Sequence, residues 1–179
     1  MPQRRAHALI FTTCGLALVA GCQGYQQSGA GGGGNYAWSS LYRQDVQTVA
    51  VPIFTNVDFA RGDEFNLTKA IVTQIEQRTP YKVVSREKAD TVIEGQITRI
   101  RRPVVSNDRS NGLPQEQLYG IRVDFVWKDQ RSGKILVERR GFEQQSPYYP
   151  TLGEARDTAS LNTSEAMAIA IVRELEADW

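Results

Sequence analysis

Two stretches of the chain carry apolar residues at the three- and four-residue spacing that is typical of an amphipathic helix. The first covers residues 63–78, where Phe65 and Val72 widen a stripe that ends before Pro80, and the second lies near the C-terminus. The stripes consist of Leu67, Ile71 and Ile75 in the first stretch, and of Leu161, Ala168, Ile171, Val172, Leu175 and Trp179 in the second. Each stripe predicts a helix that packs on a sheet.

Outside these two stretches, apolar and polar residues alternate in several segments as they do in strands. The clearest alternation covers residues 119–127, so one face of this strand is expected to be buried and the other to be largely wet. Pro52 has no amide donor and therefore favours a sheet edge or a strand end. Further strands are predicted at residues 48–54, 81–84, 91–101 and 135–144, the last joined to residues 119–127 by a turn with Gly133.

The order of elements is strand, helix, several antiparallel strands, helix. This order predicts an α+β fold in which two helices pack on one face of a mostly antiparallel sheet of about four to five strands. We expect residues 41–179 to form this single domain.

The first residues predict a secretory signal and not a folded element. Arg4 and Arg5 precede an apolar run at residues 8–20, and Gly21-Cys22 follows it. This is the layout of a signal peptide, here residues 1–21. Because its end resembles a lipobox, we expect cleavage before Cys22 and lipidation of the Cys22 sulfur. A plain signal peptide or an N-terminal membrane anchor that contains a cysteine is the alternative.

Residues 22–40 are predicted to be the lipidated cysteine and a flexible tether. Residues 28–35, SGAGGGGN, have a composition that cannot bury a core. Acyl chains on Cys22 hold a protein on a membrane, and no later stretch approaches the ~18 apolar residues of a spanning helix. We therefore expect a domain that stands off a lipid surface.

Removal of residues 1–21 changes the chemistry that the chain can support. The precursor has 21 Lys and Arg against 20 Asp and Glu; the signal takes two arginines, which leaves 19 against 20 and a net charge of −1. No bulk attraction to nucleic acid follows. His7, the single histidine, and Cys14 are also lost, and Cys22 is alkylated. A disulfide, a thiol nucleophile, a histidine base and an ordinary zinc site are thereby excluded, so we predict no enzyme, metal or cofactor.

Six arginines are candidates for binding the phosphates of an anionic glycolipid, because guanidinium groups match phosphate oxygens. They are Arg99, Arg101, Arg102, Arg109, Arg139 and Arg140. The alternative is a solvated sheet face on which arginines pair with acids such as Glu138.

Three carboxylates, Asp63, Glu64 and Glu76, offer a pair for glycoside hydrolysis in principle. Asp63 and Glu64 are better explained as acids favoured at the positive end of the first helix. We therefore predict no catalytic residue.

The connection at residues 103–115 is a predicted loop of 13 residues that is polar and contributes little to a core. A long polar loop without a structural purpose is typical of a binding segment. We predict that Asn107, Arg109 and Asn111 face a partner.

Several motifs together resemble the lipopolysaccharide-assembly lipoprotein family, LptE. These are the lipobox and glycine-rich tether, VAVPIFTN at residues 49–56, RTPYKVV at 78–84, ADTVIEG at 89–95 and a terminal helix that closes on Trp179. The resemblance implies a lipoprotein of the outer membrane whose domain faces the periplasm and inserts into the lumen of a β-barrel translocon. Such a protein supports assembly of the barrel and helps to pass lipopolysaccharide to the outer leaflet, with direct contact to lipopolysaccharide as a further expectation. Gln23 is not the aspartate that resembles an inner-membrane retention signal.

Two other functions remain alternatives. One is a periplasmic binding lipoprotein such as an activator of penicillin-binding proteins, whose small tethered domains also begin with a strand similar to residues 49–52. The other is a cell-envelope hydrolase that uses carboxylates alone. The proteins that copurify from membranes in mild detergent distinguish these hypotheses: a large β-barrel supports a partner of a translocon, and a peptidoglycan synthase supports an activator of penicillin-binding proteins.

Substitution of Cys22 by alanine tests the lipidation hypothesis. We expect Cys22→Ala to abolish labelling by a fatty-acid probe and to leave uncleaved or mislocalised protein, because the sulfur that accepts the lipid is gone. If the variant is still labelled and fractionates with outer membranes, the assignment of the lipobox is wrong.

Overall fold

The structure is a computed structural model, and it describes residues 41–59 and 61–176. The predicted signal peptide, Cys22, the tether and Trp179 lie outside the described residues.

The described chain contains seven strands, two α-helices and two short 3₁₀ helices. The strands are β1 (Thr48–Ala50), β2 (Thr55–Asn56), β3 (Lys82–Val83), β4 (Thr91–Arg101), β5 (Val104–Asn107), β6 (Pro114–Asp129) and β7 (Ile135–Tyr148). The helices are α1 (Asp63–Arg78) and α2 (Arg156–Arg173), and the 3₁₀ turns are Arg86–Lys88 and Pro150–Leu152.

All seven strands belong to one mixed sheet, which corrects the prediction of a mostly antiparallel sheet with four to five strands. The strand β6 lies between β4 and β7 and is antiparallel to both. By contrast, β1 is parallel to both β3 and β4, and β2 is parallel to β4. The parallel part arises because α1 crosses over the sheet between β2 and β3, and a crossover returns the chain in the same direction.

Two prolines account for the larger number of strands. The predicted strand at residues 48–54 is interrupted at Pro52, so β1 and β2 pair with successive parts of β4. Pro103 likewise separates β4 from β5, and both pair with β6. Proline lacks an amide donor, so each interruption removes a ladder hydrogen bond.

Both helices pack on one face of the sheet, as predicted, and share a single core. On α1, Leu67, Ile71 and Ile75 have no exposed surface, and the helix ends where the Thr79 amide donates to the Ile75 carbonyl at 3.0 Å. The core also contains the alternating side chains Tyr119, Ile121, Val123, Phe125 and Trp127 of β6, and Met167, Ala168, Ile171 and Val172 of α2.

Two apolar side chains assigned to the stripes are not part of this core. Phe65 on α1 is 58% exposed and Leu161 on α2 is 53% exposed. Both lie in the first two turns of their helices, which extend past the apolar part of the sheet.

The opposite side of the sheet, here called the open face, is polar. On β6 it presents Arg122, Asp124 and Lys128, which alternate with the buried side chains. Glu94 accepts ion pairs from Arg86 and Lys128, each at 2.6 Å. The alternation at residues 119–127 therefore predicted a wet face correctly.

Position 95 requires glycine because the Phe54 side chain packs directly against its backbone. A Cβ atom at Gly95 would lie 2.8 Å from the carbonyl oxygen of Asp124 and 2.9 Å from Cδ1 of Phe54. A Cβ atom at Gly120, also within the sheet, would meet its nearest neighbours at an ordinary 3.7 Å.

These two glycines provide a matched pair of substitutions. We expect Gly95→Ala to lower the free energy of unfolding by about 1–3 kcal/mol, because the methyl group overpacks the core. Gly120→Ala adds the same methyl group with room to spare and is expected to leave stability nearly unchanged. Urea unfolding of both variants checks the difference. Equal free energies of unfolding would show that the Phe54 side chain moves aside without a loss of stability.

Candidate partner-binding site at the hairpin end

One end of the sheet, here called the hairpin end, combines several features of a binding site. It consists of the hairpin of β5 and the start of β6, residues 57–59 and 61–62, the segment at residues 148–155, and the first two turns of α1 and α2. The other end, called the turn end, carries the turn at residues 129–134.

The predicted loop at residues 103–115 is an ordered hairpin, which corrects the assignment of an irregular connection. Val104 pairs with Gln117 and Asn107 with Pro114. The turn is closed by hydrogen bonds from the Asp108 amide to the Leu113 carbonyl at 2.8 Å and from the Gly112 amide to the Asp108 carbonyl at 2.8 Å.

The sequence contains a signal for this turn in the spacing of Asp108 and Gly112. Asp129 and Gly133 form the same pair of backbone hydrogen bonds, each at 2.9 Å, and the glycine of each turn has a φ of 71°. In both turns the Asp side chain accepts the amide two residues on. The spacing Asp-x-x-x-Gly at residues 129–133 marks the turn between β6 and β7, and its repetition at residues 108–112 predicts the second hairpin.

The three predicted partner-facing residues lie at the tip of this hairpin. Asn107 ends β5, and Arg109 follows in the turn; both are exposed. Asn111 is exposed as well, and its Oδ1 accepts the Leu113 amide at 2.9 Å. The tip is therefore polar but held by its own hydrogen bonds.

The hairpin end also exposes an unusual amount of apolar surface. Of the twelve large apolar side chains that are exposed in the described part of the chain, nine lie there. They are Val57, Phe59, Phe65, Val104, Val105, Leu113, Tyr149, Leu152 and Leu161. Phe59 is fully exposed and Leu152 is 82% exposed. Such grouping of apolar side chains marks an interaction surface.

A buried carboxylate connects the elements of this end. Asp63, at the start of α1, accepts a hydrogen bond from the Tyr119 hydroxyl of β6 at 2.7 Å and another from the Ser160 hydroxyl of α2. Burial and the adjacent Asp63 carboxylate both raise the pKa of Tyr119 above its ordinary value, so the hydroxyl stays a donor. Thr163 adds a hydrogen bond to the Tyr119 carbonyl at 3.0 Å.

The neighbouring Glu64 is held by the segment before the helix. Its Oε2 accepts from the Asn56 side-chain amide at 2.9 Å and from the Gly62 backbone amide at 3.0 Å. Burial raises the pKa of Glu64, but these hydrogen bonds and that of its own backbone amide outweigh burial and lower the pKa. Glu64 is thereby an anion at the positive end of α1.

The carboxylates do not form a hydrolytic pair. Asp63 and Glu64 point to different partners, and Glu76 is exposed 13 residues along the same helix. At ~1.5 Å per residue the separation from Asp63 is about 20 Å. Catalytic carboxylates in glycosidases lie about 5–9.5 Å apart.

A cavity of about 720 Å³ opens between the two helix starts and the sheet. Asp63, Tyr119 and Ser160 lie in its wall, together with Phe59 and Leu161. Three arginines also line it: Arg61, Arg102 and Arg156.

The structure separates the six candidate arginines. Arg102 lines the cavity on the helix side, whereas Arg109 lies at the hairpin tip. Arg139 forms an ion pair with Glu174 at 2.6 Å, and Arg140 one with Glu138 at 2.7 Å, which is the partner expected for a solvated face. The remaining two, Arg99 and Arg101, are exposed on β4.

Comparison with known proteins identifies the family. The sequence model described as LptE, lipopolysaccharide-assembly, matches residues 46–178, which is most of the chain. The chain belongs to the LptE family. No curated protein matches it in sequence.

Several solved structures are similar to this LptE-family chain at low sequence identity. PelC from Paraburkholderia phytofirmans, solved as a dodecamer, is 13% identical with a TM-score of 0.51, and the match covers 74% of this chain and 90% of PelC. Rare lipoprotein B from Shewanella oneidensis is 17% identical with a TM-score of 0.44, covering 72% and 91% of the two chains. An uncharacterized lipoprotein B from Nitrosomonas europaea is 18% identical with a TM-score of 0.47, covering 74% and 83%.

Neither a membrane-spanning helix nor a group of metal ligands is found among the described residues. Neither α1 nor α2 nor any other helix in this part of the chain has the length and apolarity to span a membrane. Within the same residues, no three His, Cys, Asp or Glu side chains are grouped as a metal ion would require.

Removal of the Tyr119 hydroxyl tests the buried connection. We expect Tyr119→Phe to lower the free energy of unfolding by about 1–3 kcal/mol, because the Asp63 carboxylate loses a buried donor. Tyr149→Phe is the control, since the Tyr149 hydroxyl lies 3.5 Å from Glu116 at an exposed position. Urea unfolding of the domain without residues 1–22 provides the measurement. Equal effects of the two substitutions would contradict a structural role for Asp63.

Proposed function

We propose that this LptE-family chain is an outer-membrane lipoprotein, anchored by lipid on Cys22, whose domain faces the periplasm. In this proposal it is the partner, assembly factor and plug of a β-barrel that exports lipopolysaccharide. The single observation that carries the proposal is the grouping of exposed apolar side chains at the hairpin end.

The hairpin end has the chemistry of a protein interface. Exposed Phe59, Leu152 and Val105 lie at the same end of the sheet as the polar tip, and interfaces combine an apolar centre with a polar rim. The tip, with Arg109 and Asn111, suits the water-filled interior of a barrel, which is lined by polar side chains. The β5–β6 ladder and the Asp63 hydrogen bonds hold these groups in place before a partner arrives, which reduces the entropy lost on binding.

The cavity at the hairpin end is the place where we propose contact with lipopolysaccharide. Arg102 is the one of the six candidate arginines that lines it, beside Arg61 and Arg156. Guanidinium groups beside exposed Phe59 and Leu161 suit a ligand with both phosphates and acyl chains. Arg139 and Arg140 would have to give up ion pairs to bind such a ligand.

We propose a non-catalytic role. The candidate carboxylates for hydrolysis stabilise the fold. Asp63 connects α1 to β6 and α2, and Glu64 holds the residues before α1. An envelope hydrolase is therefore not favoured by any arrangement described above.

Photocrosslinking in living cells tests the partner and the interface together. Crosslinkers at Asn107, Arg109 and Asn111 are expected to capture a β-barrel protein, because these positions form the exposed tip. Crosslinkers at Lys69 on α1 and Arg173 on α2, which are exposed on the helices, are the controls. Crosslinks from the control positions alone would contradict this placement, and capture of a peptidoglycan synthase would favour an activator of penicillin-binding proteins.

Shortening of the hairpin separates binding from folding. The hairpin tip is exposed and outside the core, so its removal is expected to leave the melting temperature nearly unchanged while it impairs barrel assembly. Unfolding of the domain with normal barrel assembly would be the opposite result.

A further inference from the structure

A β-bulge in β4 decides where two of the arginines point. Ile97 pairs with Val123 of β6, but the register then shifts, and Arg99 pairs with Arg122. The bulged residue is Thr98, whose hydroxyl donates to the Arg122 carbonyl at 3.2 Å. In a regular strand Arg99 and Arg101 would lie on the face of Ile97, under the helices. A bulge inserts one residue and so reverses the faces that follow it.

The pairing partners confirm the reversal. Beyond the bulge, Ile100 pairs with Ile121, which is fully buried, and so Ile100 continues the core. Arg99 and Arg101 therefore lie on the open face, opposite Arg122 and Gly120 of β6. Both arginines are exposed.

This part of the open face carries an excess of positive charge. Arg122 pairs with Glu143 of β7 at 2.6 Å, which leaves no carboxylate for its other neighbour, Arg99. Within the described residues, neither Arg99 nor Arg101 has an ion pair. The other carboxylate on this part of the face, Asp124, accepts a hydrogen bond from the Gly141 amide at 2.7 Å, so three arginines face two carboxylates and one positive charge is in excess. Like charges directly opposite each other on neighbouring strands destabilise a sheet.

Towards the turn end, the charged side chains of the open face have ion-pair partners within the domain. Glu94 binds Arg86 and Lys128, and Glu138 binds Arg140. The contrast marks Arg99 and Arg101 as groups whose counterions lie outside this domain.

The shape of the surface favours a protein as the source of these counterions. The open-face positions of β4, β6 and β7 that the structure describes include no aromatic residue on which a sugar ring could stack. The cavity on this face is lined by Gln96, Lys128 and Glu138, and Arg99 and Arg101 are not part of its wall. Arginines on a rigid, shallow sheet face are suited to a broad protein interface.

The spacing of the arginines indicates the form of the acidic partner. Two positions apart on a strand, their Cα atoms lie about 7 Å from each other. Carboxylates at alternate positions of a facing strand have the same spacing, because alternate residues of a strand lie on one face. The inner wall of a β-barrel presents residues in this way.

We propose that Arg99 and Arg101 form a docking site for two acidic side chains at alternate positions of a strand in the wall of a partner barrel. The bulge at Thr98 directs both arginines to that wall. The inference rests on the proposed function for the identity of the partner.

Charge reversal in the full-length, membrane-anchored chain tests the site. We expect Arg99→Glu combined with Arg101→Glu to lower the amount of barrel that copurifies in mild detergent by about tenfold or more, because attraction becomes repulsion. The matched control is Lys69→Glu combined with Arg173→Glu, which reverses as many charges on the exposed helix surface and is expected to copurify normally. An increase in salt from ~0.1 M to ~0.5 M is expected to weaken the wild-type complex and to affect the arginine variant less.

Each outcome is decisive. Equal copurification of barrel with the wild type and the arginine variant overturns the site, as does a variant that retains the barrel but loses lipopolysaccharide, which would assign the arginines to the lipid. If the wild-type chain captures no barrel, the proposed function fails instead. Should the double glutamate variant misfold, as judged by circular dichroism, Arg99→Gln with Arg101→Gln removes the two charges but keeps polar side chains, and an unchanged barrel yield from it overturns the site equally.

Discussion

The burial of one side of β6 beneath both helices is the interaction on which the rest of the molecule depends. Five alternate side chains of this strand, from Tyr119 to Trp127, have 2% or less of their surface exposed. Because a strand has a period of two, burial of one set commits the other set to the open face. The same strand pairs with β4 and β5 on one side and with β7 on the other, so its two faces define the two faces of the sheet.

The hairpin end shows how polar groups are stabilised where this core ends. Asp63 is 5% exposed and has donors from two other elements, Tyr119 on β6 and Ser160 on α2. Buried carboxylates without donors are costly, so this arrangement ties the start of α1 to both elements. These hydrogen bonds also hold the walls of the cavity together at an end of the sheet that contributes little to the core.

The core and the proposed binding surfaces therefore occupy different parts of the domain. The core lies between the helices and the sheet, while the hairpin tip, the exposed apolar side chains, Arg99 and Arg101 lie beyond it or on the open face. Membership of the LptE family, established over residues 46–178, links this separation to lipopolysaccharide assembly. In the proposed function the chain binds within a larger protein and gains from such a design, because its binding surface is formed before the complex is.

Local patterns of the sequence determined both helices, the long strands and the buried face of β6, because side-chain periodicity of 3.6 or 2 records which face is apolar. The same reasoning missed β5 and the parallel part of the sheet, since pairing partners are chosen by elements distant in the chain. It also could not separate the six candidate arginines, whereas the bulge at Thr98 turns Arg99 and Arg101 to one face while Arg102 lines the cavity on the other. The three-residue spacing from Ile97 to Ile100 departs from the period of two, but it does not by itself say which residue is bulged. Only the register of β4 against β6, set by the packing of Ile97, Ile100 and Ile121 beneath the helices, decides which way these charges point.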